Sequence, residues 1–169
     1  MGSVRPVADG DIPQILDLVR EVYAEYGQHL NPDEEPWWLA PGPSFRASGG
    51  EFWVVEVDGV VRATAAVKLH EDDGELKCMY VHRSLRRQGW GRRLTELAME
   101  HARRAGRPRF ILWSDTRFVE AHRLYAAMGF RQTGFRDLHD SNQTKEHGFE
   151  LTFADLPASK PGAPRPTQP

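Results

Sequence analysis

Cysteine is almost absent: Cys78 is the only one in 169 residues. That excludes an internal disulfide and a cysteine-built zinc site, and it points towards a reducing, cytoplasmic setting. No apolar run approaches the roughly 18 residues that cross a bilayer. The amino terminus carries Asp9 and Asp11 rather than the apolar core of a secretory leader, so no membrane partner is expected. An excess of either charge is missing too. The net charge is −2, and the field of the whole molecule announces no nucleic-acid partner. The seven histidines show no metal-ligand spacing, so no metal is expected.

What is present suffices for an ordinary globular domain. At 40% hydrophobic and 27% charged residues, a chain of this length buries a core without staples. One domain is expected over 1–156. From Pro157 to Pro169 there are five prolines and little to bury, which reads as a disordered tail.

Apolar spacing places the elements. Ile12, Ile15, Leu16, Val19, Val22, Tyr23 and Tyr26 recur at helical intervals, with Asp11 as N-cap, Gln14 as the other half of a capping box, and Gly27 as the stop. From Gln28 to Gly50, four prolines, Trp37, Trp38 and the acidic Asp33, Glu34 and Glu35 interrupt any period. An irregular lid is expected there. Residues 51–57 and 60–69 are strands joined by an Asp58-Gly59 hairpin turn. A second turn at Asp73-Gly74 leads into a strand over 75–81. Leu94, Leu97, Ala98, Ala102 and Ala105 then mark a helix ending at Gly106, and residues 109–113 a short strand. A strand, a helix and a strand in succession pair in parallel by a right-handed crossover. A helix over 119–128 and two strands over 131–138 and 148–153 complete the domain.

Between the third of these strands and the next helix runs Val81-His-Arg-Ser-Leu-Arg-Arg-Gln-Gly-Trp-Gly-Arg-Arg93. Glycines let backbone approach phosphate oxygens, free N–H groups point out of a helix start, and the helix dipole favours an anion. A pyrophosphate cradle and an ordinary tight turn both fit this spacing taken alone.

The segment from Tyr80 to Leu94 resembles the acetyl-CoA motif of the GNAT (GCN5-related) N-acetyltransferases, Arg/Gln-x-x-Gly-x-Gly/Ala after the fourth strand. Ala121-His-Arg-Leu-Tyr-Ala-Ala-Met-Gly-Phe130 is similar to a second signature of that family, A-x-x-L-Y-x-x-x-G-F. The resemblance spans Ser3 to Phe153. It implies an α/β (α+β) GNAT fold: a mixed, mostly antiparallel sheet of about six to seven strands with a splayed parallel central pair, flanked by about four helices. It implies acetyl-CoA as co-substrate, with Arg86, Arg87, Gln88, Gly89, Trp90, Gly91 and Arg92 around its pyrophosphate. Met79, Tyr80 and Val81 would pair by backbone with the pantetheine arm.

The same resemblance makes Tyr125 the acid that protonates the departing thiolate, a transfer open to a phenol in a dry site. It makes Glu75, fourteen residues before Gly89, the base that takes a proton from an amine of pKa ~10. Tyr125 as a plain core aromatic and Glu75 as a solvated turn residue are the competing readings. Phe118 replaces an asparagine found in many relatives, and Asp115 and Thr116 are read as helix caps.

His139-Asp140 either lines the acceptor site or lies on the surface. Trp37, Trp38 and the acidic run either hold a cationic acceptor or pack as solvated charges beside tryptophans. The expected activity is N-acetylation of a small-molecule or peptide amine, with a homodimer possible by analogy with the family. A non-catalytic acyl-CoA-binding module is the alternative. A nucleic-acid binder built on the nine arginines between Arg83 and Arg109 finds only Trp90 and Phe110 as aromatic partners.

Overall fold

The structure, a computed structural model, describes residues 1–157; the tail expected to be disordered lies outside the described residues apart from Pro157. Seven strands form one sheet in the order β1-β2-β3-β4-β5-β7-β6. They are β1 (Ser3–Pro6), β2 (Glu51–Val57), β3 (Val60–Leu69), β4 (Asp73–Val81), β5 (Arg109–Asp115), β6 (Arg131–Asp137) and β7 (Lys145–Thr152). Every pairing is antiparallel except β4 with β5. The helices are α1 (Ile12–Ala24), α2 (Pro41–Arg46), α3 (Trp90–Arg104) and α4 (Val119–Ala127).

Strand alternation decides which helix covers which face. Phe52, Val54 and Ala66 pack with Ile15, Val19, Val22 and Tyr23 of α1 and Phe45 of α2. Their neighbours one residue on point the opposite way, as the period of two requires. Trp53, Val67 and Leu76 meet Ala98 and Ala102 of α3 and Tyr125 of α4. Val55, Ala63 and Ala65 meet Trp90 and Leu94. Truncating the fully buried Leu94 to alanine would cost about 2–5 kcal/mol.

Several local expectations need correction. Asp11 does not cap α1: its carboxylate accepts from Arg5 at 2.7 and 2.8 Å and from the Ala8 N–H at 2.8 Å. Gln14 turns instead to the start of β3, accepting from the Val61 N–H at 2.8 Å. A charged guanidinium binds a carboxylate more strongly than a helix amide does, so Asp11 joins β1 to α1. Asp73-Gly74 is not the turn. Both residues are already in β4, opposite Arg109 and Phe110 of β5, and Arg109 Nε donates to Asp73 at 2.7 Å. Asp115 binds the Arg117 N–H at 2.9 Å, short of α4, whose first residue is preceded by Phe118 with no side-chain cap.

Candidate active site

β4 and β5 are hydrogen-bonded only from Asp73↔Arg109 to Leu76↔Leu112. Beyond that point they diverge, and the edge of β4 towards β5 is left without a strand partner over residues 77–81. A cleft of about 580 Å³ opens at the divergence. It is lined by β4, the end of β5, α4, the 28–38 segment and the β6–β7 hairpin.

A bulge turns β4 at this place. Thr64 faces Tyr80 and Ala66 faces Lys77, so Ala65 stands opposite both Cys78 and Met79. Cys78 is left-handed at φ 56°, and its carbonyl accepts from the Thr64 hydroxyl at 2.7 Å. Such a conformation costs a non-glycine residue about 1–2 kcal/mol, and strain of this kind collects at working sites. The enclosed Cys78 thiol is pushed well above the usual thiol range by desolvation. Desolvation thus favours the neutral thiol over the nucleophilic thiolate.

Tyr125 and Glu75 both line the cleft. The Tyr125 ring packs between Phe130 and Phe149, centroids 5.7 and 5.5 Å away. Its hydroxyl makes no hydrogen bond to a described residue, and burial pushes its pKa above that of a free phenol. Glu75 meets His70 Nε2 at 2.8 Å and lies 4.0 Å from Lys77 Nζ. Tyr125 is at once a core aromatic and a residue of the cleft wall, and Glu75 is a buried residue of β4, not a solvated turn residue, bordering the same space.

The glycine loop does not line the cleft. Gly89 is the residue before α3, left-handed at φ 84°, and a Cβ there would meet open space. Intrahelical bonding starts with Arg93 N to Gly89 O, so the amides of residues 90–92 are free, as at any helix start. Arg87, Gln88 and Arg92 are exposed beside them. Arg86 is engaged: its guanidinium holds Glu25 at 2.7 and 3.0 Å, and its Nε donates to the Val81 carbonyl at 3.1 Å. The Trp90 indole is buried against Val55 and Leu94, which leaves its backbone N–H for the loop. Of the other arginines of the run, Arg103 and Arg104 pair with Glu100, Arg109 pairs with Asp73, Arg93 lies over the Trp90 ring, and Arg107 donates to the His70 and Ala105 carbonyls.

Two groups were not legible beforehand. The Tyr23 hydroxyl donates to Glu35 Oε1 at 2.8 Å and stands 3.3 Å from the Tyr80 hydroxyl. Burial, with the Tyr80 and Glu35 charges, pushes the Tyr23 pKa up. Desolvation also holds the Glu35 carboxyl above its usual range. The partners lie 12 and 57 residues apart, so no spacing links them; the one hint is a hydroxyl on the apolar face of α1. Gln28 and Arg117 form the second group, on Asp115. Burial pushes Asp115 up, but the Arg117 bonds and the Gln28 amide at 2.7 Å outweigh it and hold the carboxyl below its ordinary value.

A model of the acetyltransferase (GNAT) family matches residues 12–130. The chain belongs to the GNAT family. Among curated relatives of this chain is the N-acetylaspartate synthetase of Rattus norvegicus, 34% identical over 122 residues. The match takes in 68% of this chain and 38% of that protein, so the chain spans under two fifths of its length. The uncharacterized N-acetyltransferase YjgM of Escherichia coli is 31% identical over 134 residues, 74% of this chain and 79% of that one. Among solved structures, a GNAT acetyltransferase from Staphylococcus aureus superposes with a TM-score of 0.79 at 15% identity, covering 90% and 99% of the two chains. YncA from Salmonella typhimurium, solved with acetyl-CoA, gives 0.70 at 18% identity over 93% and 96%.

The acetyl-CoA that this family implies fits what the residues offer. Free amides at the start of α3, the open space over Gly89 and the unpaired edge of β4 suit a phosphate-bearing, amide-containing ligand. Among the described residues no helix is long and apolar enough to cross a membrane, and no group of three His, Cys, Asp or Glu side chains could hold a metal ion.

Proposed function

We propose that this acetyltransferase moves the acetyl group of acetyl-CoA to a primary amine by direct attack within a ternary complex. The observation that carries the reading is the parting of β4 from β5 at Leu76↔Leu112, with Tyr125 and Glu75 on the walls of the resulting cleft. Residues 86–92 would hold the pyrophosphate through the α3 amides and the exposed Arg87 and Arg92, and residues 79–81 the pantetheine amides. Bound acetyl-CoA supplies an activated thioester.

Glu75 takes the amine proton and can pass it to His70, in contact at 2.8 Å and partly open to solvent. The freed nitrogen lone pair forms the C–N bond as the C–S bond breaks, Tyr125 gives its proton to the departing sulfur, and the proton shed by the newly acylated nitrogen restores the Tyr125 phenol. An amine acceptor is in keeping with relatives named for N-acetyl transfer, one of them for N-acetylaspartate.

A thiol-release assay with acetyl-CoA across an amine panel tests the reaction, and a melting shift with acetyl-CoA tests the cradle. The shift should vanish in Gly89→Glu, which puts a carboxylate where the phosphates belong. Binding without turnover of any amine would instead favour a non-catalytic acyl-CoA-binding module.

A further inference from the structure

We infer that the acceptor is a small amine carrying a second cationic nitrogen, a diamine or polyamine, whose spare ammonium is held by Glu35. The inference rests on the acetyl-transfer reading and adds to it the class of acceptor, setting aside acidic amino acids and protein amino termini.

The first argument is charge. Lysine and arginine on the cleft walls are already spoken for: Lys77 lies 4.0 Å from Glu75, and Arg136 lies 2.7 Å from Glu146. Arg117, next to the cleft, holds Asp115 at 2.7 Å. His139 is 3.4 Å from Asp137. Glu34, Glu35 and Asp140 line the same space and pair with no cation among the described residues. Glu34 accepts from Ser141, Asp140 from the Thr144 N–H, and Glu35 from the Tyr23 hydroxyl. An acceptor with its own carboxylate would meet repulsion here and no free counter-charge.

The second is an unmet donor. Trp38 is 1% exposed, lines the cleft, and its indole N–H meets no acceptor at full hydrogen-bond geometry; the Trp37 N–H, likewise short of a full bond, stands by the Cys78 sulfur. Buried orphan donors are rare and call for an explanation. The Glu35 carboxylate lies near the Trp38 N–H. A carboxylate shared with a bound ammonium stays ionised, the form that accepts best from this donor.

The third is a precedent within the wall. Lys77 Nζ stands 4.9 Å from the centroid of the Trp37 ring and 4.0 Å from Glu75. This arrangement of indole, ammonium and carboxylate is favourable for an alkylammonium. Trp38, Tyr23 and Tyr80 repeat the aromatic surface around Glu35.

The fourth is size. The 28–38 segment and the β6–β7 turn, which both line the cleft, are bonded to each other at its wall. Ser141 donates to Glu34 from its N–H at 3.0 Å and its hydroxyl at 2.9 Å. Asn142 exchanges bonds with the His29 backbone at 2.8 and 2.7 Å. A strap of this kind admits a short flexible amine and blocks the passage that an extended peptide needs. One nitrogen of the acceptor loses its proton to Glu75 and attacks, while the other stays protonated against Glu35.

The experiment compares spermidine, L-aspartate and an alanine-initiated hexapeptide in the thiol-release assay, with wild type, Glu35→Gln and Asp140→Asn. Spermidine should give the highest kcat/KM. Glu35→Gln should raise its KM about tenfold while changing kcat less, with the acetyl-CoA melting shift of wild type as proof of folding. Preference for aspartate or the peptide, or a spermidine KM unmoved in both variants, would overturn the inference and leave acetyl transfer standing. An acetyl-CoA melting shift without turnover of any acceptor would overturn the transfer reading itself, and this inference with it.

Discussion

Gly91 of α3 lies against Leu124 of α4: a Cβ on the glycine would stand 3.1 Å from Leu124 Cδ2. The glycine belongs to the loop motif and the leucine precedes Tyr125, so this contact joins the helix proposed to hold the cofactor to the helix that carries the proposed acid. Gly91→Val forces the two apart. Overpacking at such a contact costs about 1–3 kcal/mol, and the displacement passes directly to Tyr125. The expected result is a melting point lower by several degrees with a disproportionate fall in kcat. Retention of full kcat would show that the two helices are not coupled in this way.

Tyr125→Phe separates chemistry from packing. The hydroxyl has no described partner, and the ring supplies the contacts to Phe130 and Phe149. Removing an unbonded buried hydroxyl leaves stability within about 1 kcal/mol of wild type. Loss of a general acid lowers kcat by about 10²–10⁴. Calorimetry and steady-state kinetics on one preparation check both halves; an unchanged kcat removes Tyr125 from the mechanism.

Much of this arrangement was legible because it is local. The Asp58-Gly59 hairpin, the α1 and α3 apolar stripes and the glycine stops depend on neighbours within a few residues, and β4 with β5 follows from connection handedness. The turn before β4 was misplaced because Asp73 answers to Arg109, 36 residues away, and the α1 cap because Asp11 answers to a guanidinium on β1. The same limit applies at the site. Tyr125 and the glycine loop lie in contiguous motifs, whereas the Tyr23–Glu35–Tyr80 group and the Glu34–Ser141 strap exist only after folding.

Glu35 makes a prediction with a definite sign. Its pKa is raised in the folded protein, desolvation being the main cause. Such a group favours folding fully below the unfolded-state pKa, and that contribution is lost as pH rises through the folded value. Glu35→Gln should therefore melt higher than wild type at pH 7 to 8, with the gain shrinking as pH falls through the raised folded value and gone below the ordinary glutamate pKa of ~4.3. Polyamine kcat/KM in wild type should fall on the acid side at a pH above that ordinary value, and this limb should vanish in the variant. A variant less stable at neutral pH would contradict the assignment.

The Arg5–Asp11 pair behaves oppositely. Arg5 bonds to Asp11 at 2.7 and 2.8 Å and also to Glu56 at 2.7 Å, tying β1 to α1 and β2. Hydrogen bonding from Arg5 is the main cause that lowers the Asp11 pKa. Its contribution is thus present above the unfolded-state value and lost as pH falls through the lower folded value. Arg5→Met leaves the Asp11 carboxylate, 7% exposed, with the Ala8 N–H as its remaining donor. A loss of about 1–3 kcal/mol is expected at pH 7. Urea melts of both proteins should converge as Asp11 becomes protonated in each, below pH ~4. A difference that persists undiminished at pH 2 would mean that Arg5 acts through packing of its methylenes instead of through charge.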